Sequence, residues 1–155
     1  NPYSYEIVIV MTSPCQFIWF MLFLAQGCIM TISQKTVMII EDEPDAAEMF
    51  AEMMRVNGFR VLKMFASTPS IPLLLQEKPD LVILDVMMPD ISGLEVLRYM
   101  RREPELTSIP VIVVSAKSMP SDVKVGIDAG ASIYLNKPVG FLDLKQAVEQ
   151  VFQKA

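Results

Sequence analysis

The chain has 155 residues, with thirteen basic and eighteen acidic side chains and a formal net charge of −5. That fits one domain with a short appendage and leaves no electrostatic footprint for direct binding of nucleic acid. It contains no histidine, which excludes imidazole as a general base, as a metal ligand or as a phosphorylated group of the chain's own.

The amino-terminal part stands apart. No charged residue lies between Glu6 and Lys35, and "CQFIWFMLFLAQGCIM" is strongly apolar. The boundary is placed near Ser33–Thr36, with residues 1–35 as an apolar extension or membrane anchor and residues 36–155 as the working domain. Both readings of the first segment stay open. A spanning helix needs about 20 apolar residues; Phe17–Ile32 is slightly short, and Pro14 and Gln16 interrupt its extension toward Ile7–Met11. If residues 7–32 do anchor the chain, Lys35 keeps the domain cytoplasmic; if they do not, Met30 is a natural start. The lack of Lys or Arg at the amino end argues against a secretory signal. The two cysteines, Cys15 and Cys28, both precede the domain and form neither a zinc pattern nor a redox pair. The expected setting is a reducing, cytoplasmic one.

From Thr36 the pattern alternates. "VMII" reads as a buried strand, and "PDAAEMFAEMMRVNG" as a helix with Ala46, Met49, Phe50, Met53 and Met54 inward, ended by Asn57-Gly58. "FRVLKM" is a strand; "TPSIPLLLQEK" is a shorter helix that opens on a Thr cap. "LVILD" is a central strand. "GLEVLRYMRRE" is a helix with Leu94, Val96, Leu97 and Met100 inward, closed by Pro104. "VIVVS" is a strand, "SDVKVGIDAGA" a short helix opened by Ser121 and ended by Gly130, "SIYLN" a strand and "FLDLKQAVEQVFQK" a last amphipathic helix. Apolar strands alternating with helices imply an open parallel sheet covered on both faces, its crossovers right-handed.

In such sheets ligands bind beyond the carboxyl ends of the strands. The first strand ends in Glu41-Asp42, the third in Asp85, the fourth in Ser115 and the fifth in Asn136-Lys137-Pro138. The second contributes nothing polar and is expected at an edge. Any one of these residues alone reads best as a solvated loop residue; their joint arrival on one rim does not. Glu41, Asp42 and Asp85 against Lys137 leave a charge of −2, which a divalent cation balances, and an all-oxygen site suits Mg²⁺. Mg²⁺ beside a lysine and a hydroxyl is equipped for phosphoryl transfer, with Asp85 as the nucleophile.

"IIEDEPD", "LVILDVMMPDISGLEVL", "VIVVSAK" and "GASIYLNKPV" together resemble the successive signatures of the response-regulator receiver domain, over about Thr36 to Lys154. The resemblance implies a flavodoxin-like, doubly wound α/β fold with five parallel strands in the order 2-1-3-4-5 and five helices. It implies that Asp85 is phosphorylated from the phosphohistidine of a sensor histidine kinase or phosphotransfer protein. Asp42 would ligate Mg²⁺ directly, Glu41 through water and Met87 through its main-chain carbonyl. Lys137 and Ser115 would contact the phosphoryl oxygens, Tyr134 would move with Ser115, and the Lys137–Pro138 peptide would be cis. The domain would catalyse its own phosphorylation and slow dephosphorylation. Met87 and Lys117 occupy positions that in this family influence water access to the acyl phosphate.

The chain stops just beyond the last helix, so the expected output is contact with a downstream protein through the fourth helix, fifth strand and fifth helix, with a homodimer left open. Membrane contact is expected only if the first segment is an anchor. Simpler readings stand beside these: Tyr134 as a packed strand aromatic, the methionines as core filler, and Arg98, Arg101 and Arg102 as a solvated helix end. Gly93 is read as a position where a side chain would obstruct the turn after Asp85. Two alternative functions are a degenerate receiver used only for binding and a haloacid-dehalogenase-type phosphatase. The latter wants a second acid where Met87 stands. Glu41 replaces the commoner aspartate of the family and Ser115 the commoner threonine, and both keep the oxygens required.

Overall fold

The structure, a computed structural model, describes residues 34–154. The expectations for the apolar first segment and its two cysteines fall outside the described residues. Among those described, no helix is long and apolar enough to cross a membrane.

Five strands, β1 (Thr36–Ile40), β2 (Arg60–Met64), β3 (Leu81–Asp85), β4 (Val111–Ser115) and β5 (Ile133–Asn136), alternate with α1 (Pro44–Val56), α2 (Ser67–Glu77), α3 (Gly93–Arg102), α4 (Pro120–Asp128) and α5 (Phe141–Lys154). All the strands pair in parallel, in the order β2-β1-β3-β4-β5, so the strand without polar residues at its end does lie at an edge. β1, β3 and β4 are buried along their whole length, while the edge strands β2 and β5 are only partly covered.

The continuous apolar runs follow from burial on both faces. Side chains alternate along a strand. Val37 and Ile39 meet Phe50 and Met54 of α1 and Leu144 and Val148 of α5. Met38 and Ile40 meet Leu74 of α2 and Val96, Leu97 and Met100 of α3 on the other side. A sheet with two such faces cannot afford polar positions mid-strand. Each fully buried Leu or Ile stabilises the fold by about 1.5–3 kcal/mol.

Several helix details differ from the sequence expectation. The buried side of α1 is Ala47, Phe50, Ala51 and Met54, and Met49 is 42% exposed. The spacing 47, 50, 51, 54 is the better helical stripe, and its two alanines let the helix approach the sheet closely. α2 starts at Ser67, one residue before the anticipated Thr cap; its N-cap, Ala66, offers no side-chain acceptor. The Ser67 and Thr68 amides donate instead to the Asp90 carboxylate, from the loop after β3. These amide bonds, Thr68's first, hold that carboxyl far below its ordinary range. α4 begins at Pro120 rather than Ser121, proline suiting the first helical position because its missing N–H is an orphan there anyway. Arg101 is no solvated helix end. Its half-buried guanidinium donates to the carbonyls of Gly130, Thr107 and Ile109 and so fastens the turns that precede β4 and β5.

Gly93 opens α3 hard against the end of β3. A Cβ there would lie 1.9 Å from the Asp85 carbonyl oxygen and 3.1 Å from the Val86 Cα, so the reading of this glycine holds. Alanine is favoured over glycine in a helix by about 1 kcal/mol, yet here the backbone blocks it. Gly93→Ala should therefore destabilise the domain, by about 1–3 kcal/mol or more, seen as a lower urea midpoint; a raised midpoint would contradict the clash.

Candidate functional site

Strand register builds the rim. Ile40 pairs with Met64 and with Leu84, Asp85 with Val114, and Ser115 with Asn136. The residues that follow each apolar run, Glu41, Asp85, Ser115 and Lys137, therefore emerge at the same end of the sheet.

Glu41 and Asp85 are nearly inaccessible, at 2% and 5% exposure. Lys137 reaches over from the end of β5, its Nζ 2.7 Å from Glu41 Oε2 and 2.7 Å from Asp85 Oδ2. The second Asp85 oxygen, Oδ1, accepts the Met87 amide at 2.8 Å, and Glu41 Oε1 accepts the Glu43 amide at 3.4 Å. Asp42, the most open of the three acids, brings its carboxylate into the same group: one oxygen from each of Glu41, Asp42 and Asp85 lies within 4.8 Å of the others. Burial raises the Glu41 pKa, the Lys137 bond pulls it down, and the charge of Asp85 adds to the rise; the net effect is upward. Burial alone would lower Lys137, but the bonds and charges of Asp85 and Glu41 outweigh it and keep the ammonium protonated above its usual range. Two carboxylates thus share one ammonium, and a third stands beside them. An all-oxygen, net-negative cup with one open acid is a donor set that fits a hard divalent cation.

Ser115 and Tyr134 form a second group beside the first. The buried Ser115 Oγ accepts the Lys117 amide at 3.2 Å, and the Tyr134 hydroxyl donates to the Lys117 carbonyl at 2.8 Å. Both hydroxyls thus grip one peptide segment of the loop that leads into α4. The Tyr134 ring lies on Gly126, where a Cβ would come within 2.5 Å of it. The Lys137–Pro138 peptide is cis. Met87 presents its side chain to solvent, 52% exposed, so it is not core filler.

Two contributors escaped the sequence reading. Asp90 caps a helix that starts 23 residues before it, and no local pattern carries such a contact. Gly126 did leave a signal, since a lone glycine inside a helical pattern usually marks close packing.

A doubly wound parallel sheet whose carboxyl rim gathers three acids and a lysine defines a receiver-type α/β domain. The family model of the response regulator receiver domain matches residues 37–149, and the chain belongs to that family. A curated relative, the polar-differentiation response regulator DivK of Brucella ovis, is 31% identical over 105 residues, covering 68% of this chain and 85% of its own length. The signal receiver domain of a signal transduction histidine kinase from Syntrophus aciditrophicus superposes with a TM-score of 0.72 at 28% identity, covering 78% of this chain and 92% of that one. A CheY-like response regulator receiver domain from Methylobacillus flagellatus gives a TM-score of 0.69 at 26% identity, covering 77% and 99%.

Two mutational outcomes follow from these contacts. Lys137→Ala leaves two buried carboxylates facing each other, and urea unfolding in EDTA should show a loss toward the lower end of the roughly 3–5 kcal/mol expected for an orphaned buried charge, because Lys137 itself is 22% exposed. Gly126→Ala should destabilise the domain despite its better helix propensity. The same change made in a Tyr134→Ala background should be neutral or stabilising, and a double-mutant cycle with no coupling would refute the ring contact.

Proposed function

We propose that this domain is a phosphoacceptor that takes a phosphoryl group from the phosphohistidine of a sensor histidine kinase or phosphotransfer protein onto Asp85, with Mg²⁺. The observation that carries the reading is the Lys137 ammonium held 2.7 Å from Asp85 Oδ2 inside a three-acid cup. Asp42, Asp85, Glu41 and the main-chain carbonyl of Met87 would hold the ion. Bound there, Mg²⁺ supplies positive charge opposite the oxygens of the transferring group.

The chain's own residues do the rest. A carboxylate oxygen of Asp85 attacks phosphorus as the bond from phosphorus to the donor imidazole nitrogen breaks, and the imidazole leaves with the bonding pair. The Met87 amide and the buried end of β3 hold the Asp85 carboxylate in place before the donor arrives, so little is spent on orientation. Lys137 faces the incoming oxygens and Ser115 donates its hydroxyl to one of them. Hydrolysis by water later regenerates the carboxylate, and the exposed Met87 side chain stands at that approach. Once the Ser115 hydroxyl turns to the phosphoryl group, its grip on the Lys117 amide changes, and Tyr134, bonded to the Lys117 carbonyl, is the residue placed to follow.

Output then runs through protein contacts on α4, β5 and α5, where Met119, Val125, Ile127 and Leu142 are exposed apolar side chains. Self-association would use the same face. The receiver unit spans residues 36–155 and works on the cytoplasmic side, where kinases of this kind present their phosphohistidine; residues 1–35 serve as an extension or a tether. Incubation with acetyl phosphate and Mg²⁺ should add one phosphoryl group by intact mass, labile to base and hydroxylamine and absent in EDTA and in Asp85→Asn. Equal labelling of Asp85→Asn would overturn the assignment, and no labelling of the wild type would favour a domain used only for binding.

A further inference from the structure

The loop that joins β3 to α3 carries Met87, and it is tied down at two places. At its base the Val86 carbonyl accepts the Gly93 amide at 3.1 Å and the Ser92 hydroxyl at 3.3 Å. Farther along, Asp90 leaves its own neighbourhood: Oδ1 accepts the Ser67 amide at 3.2 Å and Oδ2 the Thr68 amide at 2.6 Å. Those are the first two amides of α2, a helix whose N-cap residue provides no acceptor. A helix start leaves its first amides without partners and carries partial positive charge, so the Asp90 carboxylate answers both needs at once.

The tie matters in both directions. α2 buries only Ser67, Ser70 and Leu74, and the Ser67 hydroxyl is buried without a hydrogen-bond partner. Its amino end is thus buried through two serines and no large apolar side chain, and the Asp90 bonds supply the partners that its first amides need. Met87 lies between the two ties, with its amide 2.8 Å from Asp85 Oδ1. Any swing of the loop about its base would carry that amide, and the neighbouring carbonyl, away from Asp85.

We infer that Asp90 is a positioning residue: by pinning the loop after Asp85 to the amino end of α2, it holds the Met87 amide and carbonyl in register with the acidic cup and couples α2 to whatever binds there. This inference rests on the phosphoacceptor reading. The coupling is reciprocal by thermodynamic necessity. If Asp90 steadies the cup for Mg²⁺, then Mg²⁺ steadies the first turn of α2.

The test uses the full chain. Calorimetric titration with Mg²⁺ should show Asp90→Ala binding about tenfold more weakly than the wild type, the lower end of what loss of an outer support costs a metal site. Acetyl phosphate labelling at matched Mg²⁺ should slow in parallel. Amide exchange followed by NMR supplies a readout that simple destabilisation would not move: Mg²⁺ should slow exchange at Ser67 and Thr68 in the wild type, and Asp90→Ala should abolish that response while the β1 and β3 amides keep their protection. Should Asp90→Ala not fold, Asp90→Asn, which keeps one acceptor oxygen, makes the same comparison. Unchanged Mg²⁺ affinity in the variant, or wild-type Thr68 exchange indifferent to Mg²⁺, would overturn the positioning role alone. A wild type that neither binds Mg²⁺ nor takes up the phosphoryl group would overturn both this inference and the proposed function.

Discussion

The Lys137 ammonium, bonded at once to Glu41 and Asp85, is the contact around which the rest of this domain is arranged. It joins residues 96 and 52 positions apart in the chain, and it can do so only because three parallel strands finish level with one another. Taking charges out of water is expensive, and a buried ion pair often fails to recover the cost. Here two carboxylates share one cation, so even a perfect pairing leaves negative charge unanswered. A fold that keeps such an arrangement has given up stability at this rim, and a bound cation is the natural source of what is missing.

Rigid walls make that deficit useful. The strands behind Glu41 and Asp85 are buried on both faces, between α1 and α5 on one side and α2 and α3 on the other. The side chains are therefore aimed by the core and not by the loops. Gly93 extends the same logic past the strand end: α3 starts so close to the Asp85 carbonyl that no side chain fits, and the chain leaving β3 is forced into one path. The acids cannot retreat from each other without unpacking the sheet.

Much of this was legible in the sequence, for a physical reason. Strands covered on both faces must be uninterrupted apolar runs, so their ends are sharply marked, and the polar residues that follow them stand out. The barren end of "FRVLKM" correctly placed β2 at an edge. What could not be read depends on contacts between elements. Met49 and Ala47 both fit a helical stripe, and only the distance from α1 to the sheet decides that the small alanine goes inside. Arg101 looks like its neighbours Arg98 and Arg102 until the carbonyls of Gly130, Thr107 and Ile109 are found around it. Asp90 caps a helix that precedes it by a whole strand. Helix starts slipped by one residue at α2 and α4: at α2 the cap comes from Asp90, and at α4 a proline takes the first helical position.

The seating of α4 has a consequence of its own. Only Gly126 of that helix is buried, and it rests on an aromatic ring rather than in a socket, while Val125 and Ile127, and Met119 just before the helix, are exposed over much of their surface. A segment with so little apolar cover opens at a small fraction of the free energy needed to unfold the whole domain. The fold has in effect left one of its walls unfinished. Whatever surface comes to lie against α4 would complete the burial that the chain withholds from itself, so this helix would be most firmly held in company and loosest alone.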